Sequence, residues 1–225
     1  KGLRTLTPGE AVIIRKNETT SWEYNKYLPG SKISYQSKTK LENELAETTL
    51  SILDNIRVKA NGRQIAVPLS AGFDSRLVAS GLRYLGVKDL LLFSYGLQNN
   101  FEALTARHIA EKLNAEWHYV PLSIHQQRQF YLSSTYQDYL NFAHNHVSTP
   151  FQQDIYPVHK LREQGVLNAD TIIINGNTGD FISGGHIPPF LQSDPSLYKE
   201  QDSEFIGSFL KKHFSLWENR FSAEQ

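Results

Sequence analysis

The sequence predicts an α/β protein: an open parallel sheet with helices on both faces, preceded by a short N-terminal β-hairpin appendage. Short apolar runs (IAVPL, LLLFSY, EWHYV and TIIIN) alternate with helix-length segments, as strands buried under crossover helices do. The segments between runs suit right-handed crossovers. Residues 1–30 differ, with two strand-like stretches around the turn-prone KNETT.

In chain order, the first pair of strands is expected over Ala11–Arg15 and Ser21–Tyr24. Leu41, Leu45, Leu50, Leu53, Ile56 and Val58 mark an amphipathic helix over 38–60. Strand Ile65–Leu69 leads to helix Ser75–Leu85, and strand Leu90–Tyr95 to helix Phe101–Leu113. Strand Glu116–Val120 is followed by helical stretches over 124–142 and 153–165, then strand Thr171–Asn175. A polar stretch, DPSLYKEQDSE, precedes a final helix over Phe205–Phe221. Residues 1–30 read as a hairpin linking to a missing upstream domain, and 31–225 as the main domain.

The 225 residues can bury a sizeable core. Formal net charge is +0, so no overall field collects nucleic acid or an anionic membrane. No apolar stretch approaches the ~20 residues of a membrane-spanning helix, and no signal-peptide pattern opens the chain. With 0 cysteines, disulfides, thiolate metal sites and cysteine nucleophiles are excluded within these residues. The expected setting is cytoplasmic. Methionine is absent even at position 1, so the chain is expected to be a piece of a longer protein, truncated at its C-terminus.

Chemistry is expected where the strand Ile65–Leu69 ends abruptly in Ser70-Ala71-Gly72-Phe73-Asp74-Ser75. Ligands of open parallel sheets bind at the carboxyl ends of strands. Small residues there let backbone N–H groups approach an anion, and the following helix N-terminus adds positive potential. Phosphate is the expected guest. Asp74 would repel it unless a cation lay between, so the pairing points to Mg²⁺. A Walker loop is excluded because its lysine is missing, and a nucleophile elbow because residue 68 is proline where glycine is needed. The alternative is a plain strand–turn–helix with Asp74 as helix cap.

LSAGFDSR resembles the SGGxDS pyrophosphate loop of N-type ATP pyrophosphatases, most closely the synthetase domain of glutamine-dependent asparagine synthetases. A second segment, IIINGNTGDFISGGH at 172–186, resembles that family's GEGADELFGGY element. FSYG, FEALTARHIAEKL and EWHYVPL follow the family's order between them, and LTPGEAVIIRKNETTSWEY resembles the hairpin joining its glutaminase and synthetase domains. The likeness covers most of residues 5–190.

This resemblance implies an adenine nucleotide alpha hydrolase-like fold with ATP and Mg²⁺ as cofactors. The implied reaction activates a carboxylate as an acyl-adenylate, which an amine or ammonia then converts to an amide. Ser70, Gly72 and Ser75 match the loop positions that hold pyrophosphate; Asp74, and Asp180 in the second motif, match the magnesium-binding acids. Leu69, Tyr95, Asn175 and Gly176 match positions lining the nucleoside, with a buried core aromatic as the alternative for Tyr95. Implied partners are a small-molecule carboxylate, an amine or ammonia, and a glutaminase domain upstream or separate. No nucleic acid and no membrane are implied, and a homodimer is the assembly to consider.

The departures matter. Ala71 replaces a glycine, a mild change, and Arg76 replaces a small or polar residue; it is read as solvated, with phosphate as its alternative partner. Asn177 stands where the family has glutamate, and an amide cannot accept a proton near pH 7. Phe181 replaces a further acid. These changes point to a divergent member with another substrate or acceptor. A non-catalytic nucleotide-binding module is the competing expectation, and a hydrolase using Ser70 a third. Lys211 and Lys212 come too early to match the family's late lysine.

Elsewhere, His144 and His146 lack the further ligands a zinc site needs. His108 and His118 read as ordinary imidazoles, Glu102 as a charge favourable to a helix N-terminus, and VKANGR as a solvated loop.

Overall fold

The computed structural model describes residues 6, 9–16, 18–24, 37–144, 150–177, 179 and 207. Asp180, Phe181, His146, Lys211, Lys212 and almost all of the expected helix over 205–221 lie outside the described residues.

Strands β1 (Glu10–Arg15) and β2 (Glu18–Glu23) form the expected antiparallel hairpin, with Arg15 opposite Glu18. β2 begins earlier than its sequence reading because Thr19 and Thr20 extend the ladder opposite Ile14 and Ile13, a position β-branched residues favour. KNETT therefore shrinks to a tight turn in which Lys16 takes a left-handed φ of 51°. Helix α1 (Lys38–Ala60) matches its expected bounds. Ser37 accepts from the Lys40 N–H at its start, and Asn61 stops it in a left-handed conformation, φ 50°.

The chain divides into two units, residues 1–61 with 120–169, and residues 62–119 with 170–225. The second unit is built on β3 (Ile65–Pro68), helix α2 (Phe73–Tyr84), β4 (Leu90–Gly96), helix α3 (Phe101–Leu113) and β5 (Glu116–Pro121), whose last residues belong to the first unit. The last strand is β6 (Ile172–Ile173). These strands form a four-stranded parallel sheet in the order β5-β4-β3-β6, flanked by helices. Ile65 pairs with both Leu90 and Ile172, so β3 lies between β4 and β6. β3 and β4 are buried almost throughout, as a parallel sheet's inner strands must be. From β3 through β5 the chain steps in one direction, and α2 and α3 touch each other, as successive right-handed crossovers require.

Buried Ser94 ties three strands together. Its hydroxyl donates to the Leu69 carbonyl at 2.7 Å and accepts from Trp117 Nε1 at 3.0 Å. Ser94→Ala leaves both groups without that partner, and we expect a loss of about 1–3 kcal/mol in stability, measured by urea denaturation. An unchanged midpoint would contradict this.

In the first unit, the helical stretch expected over 124–142 is two helices, α4 (Ile124–Tyr131) and α5 (Ser134–His144). Ser133 divides them: its hydroxyl donates to the Phe130 carbonyl at 2.6 Å and accepts from the Tyr136 N–H at 3.3 Å, ending one helix while capping the next. Helix α6 (Ile155–Glu163) follows. Phe130, Tyr136 and Tyr156 form a buried aromatic core here, with the His159 ring centroid 4.8 Å from that of Phe130 and the two planes tilted by 32°. Among the described residues, no helix is long and apolar enough to cross a membrane.

Candidate functional site

Strand order reverses between β3 and β6, since the chain moves from β3 towards β5 and later returns to β3's other side. Ligand crevices of open α/β sheets form at such a reversal, outside the carboxyl ends of the strands. The two sequence motifs stand there: Leu69–Ser75 follows β3, and Asn175–Gly179 follows β6.

The first loop is held from within. Leu69 is buried and continues the ladder, its N–H donating to the Phe93 carbonyl at 2.8 Å. The Ser70 N–H donates to Ser75 Oγ at 3.2 Å, and the two hydroxyls lie 3.2 Å apart. The Gly72 N–H donates to Ser70 Oγ at 3.1 Å. Ser75 is only 7% exposed, so its hydroxyl faces the loop interior. Ser70 is part-buried, and its hydroxyl lies between the Ser75 hydroxyl and the Gly72 N–H.

Helix α2 starts at Phe73, two residues before its expected start, with Gly72 as N-cap in an extended conformation. This corrects the reading of Asp74 as the cap: Asp74 sits inside the first turn. The N–H groups of Phe73, Asp74 and Ser75 have no intrahelical acceptor, so this end carries the positive potential of the helix dipole. The Asp74 side chain is part-buried and makes no hydrogen bond or ion pair with any described residue. Arg76 is not simply solvated: Nη2 donates to the Ala71 carbonyl at 3.0 Å, and the guanidinium lies 5.1 Å from the Phe73 ring centroid.

The second loop lies against this helix start. β6 is shorter than expected because the chain leaves the ladder after the Ile174 N–H reaches the Ala66 carbonyl at 2.9 Å. Asn175, exposed, accepts from the Asn177 N–H at 3.4 Å, and the Gly179 N–H donates to the Gly176 carbonyl at 3.0 Å, closing a turn. A Cβ on Gly176 would stand 2.7 Å from the Ser75 nitrogen and 2.8 Å from the Asp74 carbonyl carbon. One on Gly179 would overlap the Asp74 carboxylate. Residues 176 and 179 therefore pack directly on residues 74 and 75.

The fold thus gathers Ser70, Gly72, Asp74, Ser75 and Gly176 at one place, with Leu69 beneath the loop and Asn175 at the start of the second. Tyr95, part-buried, stands at the end of the neighbouring strand β4 on the same edge. Asp180 follows Gly179 directly in sequence but is outside the described residues. The sequence reading missed Gly179 as Asp74's neighbour and Arg76 as a loop contact. The glycine in NGNTGD was the available signal for the first; nothing local marked the second.

Chemically, the arrangement combines a helix N-terminus, two hydroxyls and a carboxylate without a described partner. Oxygen donors of this type suit a hard cation such as Mg²⁺, with Asp74 as its carboxylate ligand, and the N–H groups suit a phosphate. Among the described residues no group of three or more metal-ligating side chains gathers. Compared with protein-family models and with curated proteins, the chain has no significant match in either.

Proposed function

We propose that this chain carries an ATP-pyrophosphatase-type domain of the adenine nucleotide alpha hydrolase-like fold, with helices on both sheet faces. In this reading it belongs to an enzyme resembling the synthetase part of asparagine synthetases. One observation carries it. Two motifs widely separated in sequence meet at the sheet's strand-order reversal, the glycines of one seated on the aspartate and serine of the other.

In this proposal the N–H groups at the start of α2, with Ser70 and Ser75, hold the β- and γ-phosphates of ATP. Asp74, joined by Asp180, holds Mg²⁺, which when bound offsets the charge that builds on the leaving pyrophosphate. Asn175 and Gly176, with Leu69 and Tyr95, border the nucleoside. A carboxylate oxygen attacks the α-phosphorus, the bond to the bridging oxygen breaks, and pyrophosphate departs with the electron pair. An amine or ammonia then attacks the acyl carbon, AMP leaves, and the nitrogen gives up a proton. The partners are a small carboxylate and an amine, with a glutaminase domain as one ammonia source, in a cytoplasmic setting.

Asn177 favours a second reading, a nucleotide-binding module without amide transfer, because its exposed amide cannot take that proton. ATP–pyrophosphate exchange by the full natural protein, with a panel of carboxylates, separates the two. Labelled pyrophosphate should enter ATP only with a suitable carboxylate present. ATP binding without exchange on any carboxylate leaves the module reading, and no ATP binding removes both.

A further inference from the structure

We propose that Arg76 is a positioning residue that locks the Ala71–Gly72 peptide in its anion-accepting orientation; this rests on the reading of the Ser70–Ser75 loop as a pyrophosphate cradle. The peptide is trans and planar, so its C=O and N–H point to opposite sides. Both ends are held: Arg76 Nη2 donates to the carbonyl at 3.0 Å, and the N–H donates to Ser70 Oγ at 3.1 Å.

The loop needs such a lock. Gly72 lacks the Cβ that would resist rotation about its φ, so the peptide unit can turn over. Turning it over would present a carbonyl oxygen where the cradle must present an N–H, and an anion would meet a negative dipole end. When phosphate arrives, the Ser70 hydroxyl can swing aside and leave the Gly72 N–H to the anion, which releases one of the two holds. The bond from Arg76 lies on the other side of the peptide and persists.

Arg76 is suited to this and is held in place for it. Its guanidinium lies against the Phe73 ring, which is 81% exposed and stays at the surface beside the loop. A planar guanidinium can stack on a ring and donate from its edge at once, which an ammonium cannot. Its Nε is buried and has no hydrogen-bond partner among the described residues. The contacts to the Ala71 carbonyl and the Phe73 ring hold the side chain across the start of α2.

The test uses the full chain, titrated by calorimetry with Mg·ATP, Mg·pyrophosphate and adenosine, in wild type, Arg76→Met and Arg76→Lys. Arg76→Met keeps the apolar stem and removes the donors. It is expected to weaken Mg·ATP and Mg·pyrophosphate by about tenfold or more, the worth of a charge-assisted hydrogen bond, leaving adenosine affinity unchanged. Arg76→Lys keeps the charge without the planar fork and is expected to regain less than about threefold of that loss; it also serves if the methionine variant does not fold. Wild-type affinity in Arg76→Met, full recovery in Arg76→Lys, or equal weakening of adenosine would each overturn the proposal. If the wild type binds neither Mg·ATP nor Mg·pyrophosphate, the pyrophosphate-loop reading falls, and this inference with it.

Discussion

Asp74→Asn is expected to weaken magnesium-dependent ATP binding by about a hundredfold or more, because it removes the charge of the metal ligand proposed above and keeps the side chain's shape. Shape matters because Gly179 is seated against this carboxylate, and alanine would open a void there. Asparagine fills the same space. It gives up only the interaction of a negative charge with the α2 N-terminus, about 0.3–1 kcal/mol, so the variant should fold. The measurement is ATP titration across a magnesium series in both proteins. The asparagine protein should lose the magnesium dependence as well as the affinity. If its affinity still rises with magnesium as the wild type's does, Asp74 holds no cation and the proposed chemistry has no centre.

Gly176→Ala and Gly179→Ala form the second test, directed at the contact between the two motifs. No left-handed φ demands glycine at either position; the lack of space does. At 176 the obstruction is backbone, 2.7 Å to the Ser75 nitrogen, which cannot swing aside. Relief must come from moving the whole loop after β6 away from α2. The expected cost is about 1–3 kcal/mol of stability from overpacking, with a fall in ATP affinity of about tenfold or more as the two halves separate. At 179 the obstruction is a side chain, so Asp74 would have to turn away, and magnesium dependence should suffer more than stability. Gly86→Ala is the control: its φ of 80° strains any side chain, yet nothing lies within 4 Å. It should cost about 1 kcal/mol and leave ATP affinity alone. Equal ATP affinity in all three variants would show that the seated glycines have no part in binding.

Helix α3 was legible to the residue, because both its ends carry local signals. Asn100 accepts from the Ala103 N–H at 2.8 Å, and Asn114 takes a left-handed φ of 48°. The inner strands β3 and β4 were legible as apolar runs for a similar reason: burial on both faces leaves no polar alternation. Boundaries failed where one side chain chose between two local hydrogen-bond patterns. Ser133 splits a continuous helical pattern by bonding in both directions, and periodicity does not register a single hydroxyl. At β6 the run of isoleucines suggested a longer strand, but the ladder ends early and Gly176 is seated against Asp74 and Ser75 of α2 instead.

For the site, residue types alone marked the Ser70–Ser75 turn as a small-residue cradle beside an acid at a helix start. Propensity, patterning and small-residue spacing are local properties, and a chain carries them wherever it folds. The meeting of Gly176 and Gly179 with Asp74 and Ser75 is of another kind. It requires β6 to pair with β3 on the side away from β4, which depends on the order of strands in the sheet. The return of Arg76 to the Ala71 carbonyl likewise depends on how the loop meets the first turn of α2. Such contacts are set by close packing between separate segments, and only the tertiary structure decides them.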